Sequence, residues 1–121
     1  MIDAAAFIKL LGKHFPEIVD ELHDETWEGL LHVQMGVFSR FAQRAIDHQS
    51  KALWREITEV FVVVWADCSA DVTNALNVSF LEHLEFSDLK VPRSWAYKAM
   101  PVMMRRAWDE MEGYNKRIHG G

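Results

Sequence analysis

A chain of 121 residues with 50% hydrophobic and 26% charged side chains is too apolar for a disordered polymer and too often interrupted by charge to span a membrane. At this length folding should hide roughly two-thirds of the surface an extended chain exposes, enough for one core and one domain over residues 1–121. A net charge of −5 argues against nucleic acid as a ligand, because phosphate binding depends on clustered Lys and Arg.

Asp3 can cap a first helix that runs to residue 11, with Phe7, Leu10 and Leu11 on one side and Gly12 as its stop. The same stretch, MIDAAAFIKLLGKHF, lacks the basic-then-apolar layout of a secretory signal, so a cytoplasmic protein is expected. Pro16 suits the first turn of a second helix, where its missing N–H would be unpaired anyway. A step of about 100° per residue gathers Phe15, Ile18, Val19 and Leu22 on one side, and Glu17, Asp20, Glu21 and Asp24 on the other. An unbroken helix would turn Met35 and Phe38 onto that acidic side, so the apolar phase must reset between His23 and Trp27. Thr26 is the expected cap of the next helix. Glu25 and Glu28 would then sit at a helix N-terminus, where the dipole favours negative charge by about 0.3–1 kcal/mol each.

That third helix is predicted over residues 27–48, with Leu31, Met35, Phe38, Ala42 and Ala45 as its ridge and Leu30, Val37 and Phe41 widening it. Gly36 would permit a close helix crossing. Ser50 should cap a fourth helix, in which Leu53, Trp54, Ile57, Phe61, Val64 and Trp65 recur at helical spacing. Its FVVVW run would suit a buried strand, yet no second strand is available to pair with it, so it reads as a central helix, apolar nearly all round. Beside it the single cysteine, Cys68, cannot form an internal disulfide and reads as a small buried hydrophobe. Asp71 opens a fifth helix, to residue 85, that buries Val72, Ala75, Leu76, Phe80 and Leu84. Residues 86–92 have loop chemistry, with Ser87-Asp88 at the start and Pro92 at the end. A last helical segment over 95–117 carries Met103, Ala107, Trp108 and Met111, with Pro101 in its first turn or kinking it and Gly120-Gly121 as a loose end. The expected fold is all-α, a single compact array of about six helices, mostly antiparallel, without a fixed repeat.

No motif names a reaction. The six histidines include no i, i+4 pair, and Cys68 has no cysteine partner, so no metal site is expected. His83 falls on the side of Phe80 and Leu76 and reads as a core-edge histidine rather than a general acid or base. Met100, Met103, Met104 and Met111 read as core packing rather than a soft-metal or groove-binding strip. Nucleophile-elbow, phosphate-loop and dinucleotide patterns are missing, and no cofactor is expected. Asn77-Val78-Ser79 matches a glycosylation acceptor, a match without meaning in a cytoplasmic chain.

What remains is charge. From His14 to Ser39 the chain has six acids, Glu17, Asp20, Glu21, Asp24, Glu25 and Glu28, and no Lys or Arg, whereas residues 88–121 hold seven Lys or Arg against four acids. Like charges at helical spacing weaken a helix by about a few tenths of a kcal/mol per pair. A cost kept without interleaved Lys points to a use, namely a surface that attracts a basic partner quickly.

The segments LLHVQMGVFSRFAQRAID, NALNVSFLEHLEF and AMPVMMRRAWDEMEGY resemble a group of small, uncharacterised bacterial all-helical proteins, which look like immunity proteins of polymorphic or contact-dependent toxin systems. The resemblance covers residues 15–114. Its motifs, His32-x-x-Met35-Gly36-x-Phe38 and the run from Asn74 to Leu84, are mostly core positions and supply no catalytic residue. It implies a non-enzymatic inhibitor that occupies a cognate toxin, basic if that toxin must hold phosphates. The six acids would form the partner-binding surface, with no nucleic acid or membrane involved. A second reading is a small adaptor that grips a peptide or ligand between helices near Trp95, Met103 and Trp108. A third is an enzyme with an unrecognised site around His83.

Overall fold

Asp3 starts the fold as its side chain should: its Oδ1 accepts the Ala6 N–H at 2.9 Å, and α1 (Ala4–His14) follows. The computed structural model describes residues 1–118, and the predicted loose end at Gly120-Gly121 lies outside them. After α1 come α2 (Val19–Leu22), α3 (Leu31–Asp47), α4 (Lys51–Ala66), α5 (Ala70–Ala75), α6 (Ser94–Ala99) and α7 (Val102–Ile118). The described residues form no strand, so the fold is all-α, and none of these helices is long and apolar enough to cross a membrane.

Gly12 does not stop α1. Its φ lies outside the left-handed region, and the helix runs two residues further. The glycine instead admits Val19, since a Cβ at position 12 would lie 3.2 Å from Val19 Cγ2. Pro16 begins a 3₁₀ turn (Pro16–Ile18) that leads into α2, and from this pair of turns Ile18 and Leu22 are buried.

The third helix begins at Leu31, not near Trp27. Asp24 Oδ1 takes the Thr26 N–H at 2.9 Å, a local turn that competes with helix. Gly29, at φ +83°, then puts the backbone in a conformation no helix contains. Thr26 is therefore not a cap, and Glu25 and Glu28 lie in the turns before α3 rather than in its first turn.

In α3 the expected ridge is buried except Leu31, which is half-buried, and Gln34 and Ser39 are buried with it. Gly36 stands at no helix crossing: a Cβ there would meet only the Arg40 guanidinium, at 3.3 Å. The FVVVW run is helical, but α4 is not apolar-buried all round, since Val63 is 58% exposed. Ser50 precedes α4 without a side-chain cap.

The fifth element is three pieces rather than one helix: α5, a π-helical segment (Leu76–Phe80) and a 3₁₀ turn (Leu81–His83). All five of its predicted core residues are buried, and so is Leu81. The change of winding shifts the phase, and His83 emerges exposed instead of at the core edge. Cys68 is half-buried, its Sγ 3.2 Å from Thr73 Oγ1. Ile2 pairs beside it, donating to Asp67 O at 2.8 Å and accepting from Ser69 N at 2.9 Å, which ties the N-terminus to the turn between α4 and α5.

Pro101 separates α6 from α7 and accepts the first bond of the latter, from Arg105 N at 3.0 Å. Met100, Met104 and Met111 are core residues while Met103 is exposed.

One buried cluster extends from Phe7 to Met111. Its centre is aromatic. Phe38 of α3 stacks on Phe80 at 4.5 Å and touches Phe7 and Phe15 at 6.4 and 6.0 Å, so α1, α3 and the π-helical segment meet on one ring. A second group joins Phe86 of the loop to Trp54, Tyr97 and Trp108 at 6.1, 5.9 and 5.3 Å.

Candidate functional site

The six candidate acids lie on one short run of chain: the 3₁₀ turn, α2 and the turns that follow. Leu22 and Ile18 face inward, so Glu17 and Asp20 face out, while Glu21 and Asp24 are half-buried. Glu25 and Glu28 are exposed on residues 25–29. This run is held from below by side chains that the charge pattern does not reveal. The buried Gln34 of α3 donates from Nε2 to Leu22 O at 3.0 Å, and Trp27 donates from Nε1 to Glu21 O at 2.7 Å. The first satisfies a carbonyl that α2 leaves open at its end, and the second adds a donor to one that the Asp24 N–H already reaches at 3.4 Å. His23 Nδ1 lies 3.0 Å from both carboxylate oxygens of Glu28, closing the turn.

Little positive charge of the chain reaches these carboxylates. Among the described residues the Lys or Arg contact is Arg40 to Glu21, at 3.9 Å and between partly exposed side chains. Two cations of the C-terminal third are engaged elsewhere. Arg93 is held by Asp47 and Glu85, and Arg105 donates to the carbonyls of Lys98 and Met100 at 3.1 Å.

Beside the acids runs a groove of about 430 Å³ floored by Ala4, Ala5, Ile8 and Leu31, with His23, Glu28 and Gly29 on one edge and Lys9 also lining it. Leu30 and Val33, just beyond, are exposed at 54% and 43%. An apolar concavity edged by charge is the usual make-up of a protein-docking surface.

The two sequence motifs meet in space. His32 Nδ1 and Ser79 Oγ are 2.7 Å apart, and Ser39 Oγ donates to Phe80 O at 3.3 Å, where the π-helical winding ends. A serine and a histidine in contact invite a nucleophile reading, but Ser79 is buried against α3, so the pair ties the π-helical segment to α3. Among the described residues no group of three or more His, Cys, Asp or Glu gathers to hold a metal ion.

Trp95, Met103 and Trp108 do not share one groove. Trp95 lines a hollow of about 520 Å³ with Lys51, Arg55 and Glu59, while Trp108 packs edge-on against Phe86 and Tyr97.

Arg93 was not singled out by the sequence. It lies behind the loop, with Nε and Nη2 donating to Asp47 at 2.7 and 3.1 Å and Nη1 to Glu85 at 2.9 Å. Gln43 completes this clasp through the Glu85 backbone, accepting at 2.9 Å and donating at 3.2 Å. The Arg93 hydrogen bond holds Asp47 below its ordinary carboxylate range. Asp88 accepts from the backbone N–H groups of Ser94 and Arg93 and from the Ser94 hydroxyl, which lowers its pKa to about 2.

This helical fold belongs to a defined family: the chain matches, over residues 8–116, the domain of unknown function DUF7674, and it is a member of that family. No curated protein and no solved structure matches it.

Proposed function

We propose that this protein is a non-enzymatic binding protein whose acidic surface, Glu17, Asp20, Glu21, Asp24, Glu25 and Glu28, receives a cationic protein, and that it acts as a cytoplasmic immunity protein against a bacterial toxin. The observation that carries the reading is the joining of two features: carboxylates left largely unpaired by the chain's own Lys and Arg, and an apolar groove of about 430 Å³ that begins at one of them, Glu28. The charges speed encounter and orient the partner, and the groove takes an apolar side chain that water would otherwise cover. A nuclease-type toxin has the right sign, because its own substrate is a polyanion.

The test is binding to the product of the adjacent reading frame at low and high salt. Replacing Glu17, Asp20, Glu21 and Asp24 together by Lys should weaken binding by about a hundredfold or more at low salt and remove its salt dependence. The same reversal at Glu56 and Glu59 of α4 should leave binding nearly unchanged. Equal affinity of the first variant and the parent protein would remove the acidic surface from the mechanism.

A further inference from the structure

We infer that a second groove, between residues 74–82 and α7, binds an extended peptide segment that carries a lysine or arginine. It has a volume of about 320 Å³, at the small end of ligand sites, and shares no residue with the acidic surface.

Its walls suit a peptide main chain. Asn74 and Asn77 line one side and Asn115 the other. Among the described residues Asn74 and Asn77 have no side-chain hydrogen-bond partner, and Asn115 donates only to the Met111 sulfur, a weak acceptor, at 3.2 Å. A primary amide offers a donor and an acceptor together, the complement of a peptide group. Peptide groups that face the same way along an extended chain recur every second residue, about 6.6–6.8 Å. With Asn74, Asn77 and Asn115 all lining the groove, more than one of these groups can meet an amide partner, an arrangement that a compact amine cannot satisfy.

Its charge and aromatic content choose the side chain. Glu82 and Glu110 line the groove and make no ion pair with Lys or Arg among the described residues, so they favour a cation and oppose phosphate or carboxylate ligands. Trp65, held by stacking on Phe61 at 5.2 Å, and Tyr114, 56% exposed, offer ring faces to an ammonium or guanidinium group. Val78, 46% exposed, adds apolar contact beside them.

The ¹⁵N-labelled full chain is titrated with acetylated, amidated Ala-Ala-Lys-Ala-Ala, with its Glu counterpart and with n-butylamine, following the side-chain NH₂ resonances of Asn74, Asn77 and Asn115. Saturable shifts with the lysine peptide, at least about tenfold weaker with the other two, support the site. The exposed double variant Glu82→Gln/Glu110→Gln should erase the preference for lysine over glutamate, and Asn77→Ala should weaken both peptides alike. No shift at the three asparagines, an equal response to the glutamate peptide, or butylamine matching the lysine peptide overturns the proposal. Reversal of Glu17, Asp20, Glu21 and Asp24 should leave these titrations unchanged, so this site and the acidic surface stand or fall separately.

Discussion

Arg93 shows how one side chain can fix a loop that has no secondary structure of its own. Its side chain is only 10% exposed, and three of its hydrogen bonds go to two carboxylates, one from α3 and one at the start of the loop. Arg93→Ala should lower stability by about 1.5–2 kcal/mol in urea denaturation, the low end for charge-assisted bonds, because Glu85 is largely in water. Arg93→Lys should recover little of this, since an ammonium group cannot make the two parallel bonds to Asp47. The carboxyls of Asp47 and Asp88 are both lowered by donors present only in the folded chain. Their contribution is complete above the unfolded value of about 3.9 and is lost as pH falls through the folded values. Urea midpoints should thus drop between about pH 4 and pH 2, the folded value of Asp88, and Asp88→Asn should flatten that drop.

The helices show where local rules hold and where a neighbour overrides them. Gly36 lies inside α3 and faces only the mobile end of Arg40, so Gly36→Ala should stabilise the protein by about 0.5–1 kcal/mol in thermal or urea unfolding. Gly29 is the opposite case. Nothing crowds it, yet its φ of +83° is one that an L side chain resists, and Gly29→Ala should cost about 1–2 kcal/mol while loosening the turn that presents Glu28. The π-helical segment is an element whose cause lies outside itself: Phe80 stacks on Phe38, and Ser39 takes up the Phe80 carbonyl where the winding changes. An ideal helix through residue 85 would have put His83 on the core side, where the structure has Leu81 and Leu84.

Across the whole molecule the charges are sorted rather than mixed. Arg93 forms its clasp within the C-terminal region and with α3, and the acids near α2 keep most of their field for solvent or a partner. Such a surface works against the stability of the free protein. Asp20→Lys, which turns repulsion with Glu17 and Asp24 into attraction, should raise stability by about a few tenths of a kcal/mol while weakening partner binding, and added salt should shrink both effects. A variant that gained stability and kept its binding would break the link between the two.

The helical character of this chain, most core positions and the outward sense of Glu17 and Asp20 follow from spacing, because a backbone that winds with a fixed period sorts side chains by neighbours three and four residues away. Gln34 under Leu22, Arg93 against Asp47 and His32 against Ser79 are contacts between residues 12, 46 and 47 positions apart, and no local period relates them. The late start of α3 is local, set by the Asp24–Thr26 turn and the φ of Gly29, whereas the exposure of His83 is fixed by an aromatic stack that exists only once distant segments have packed together.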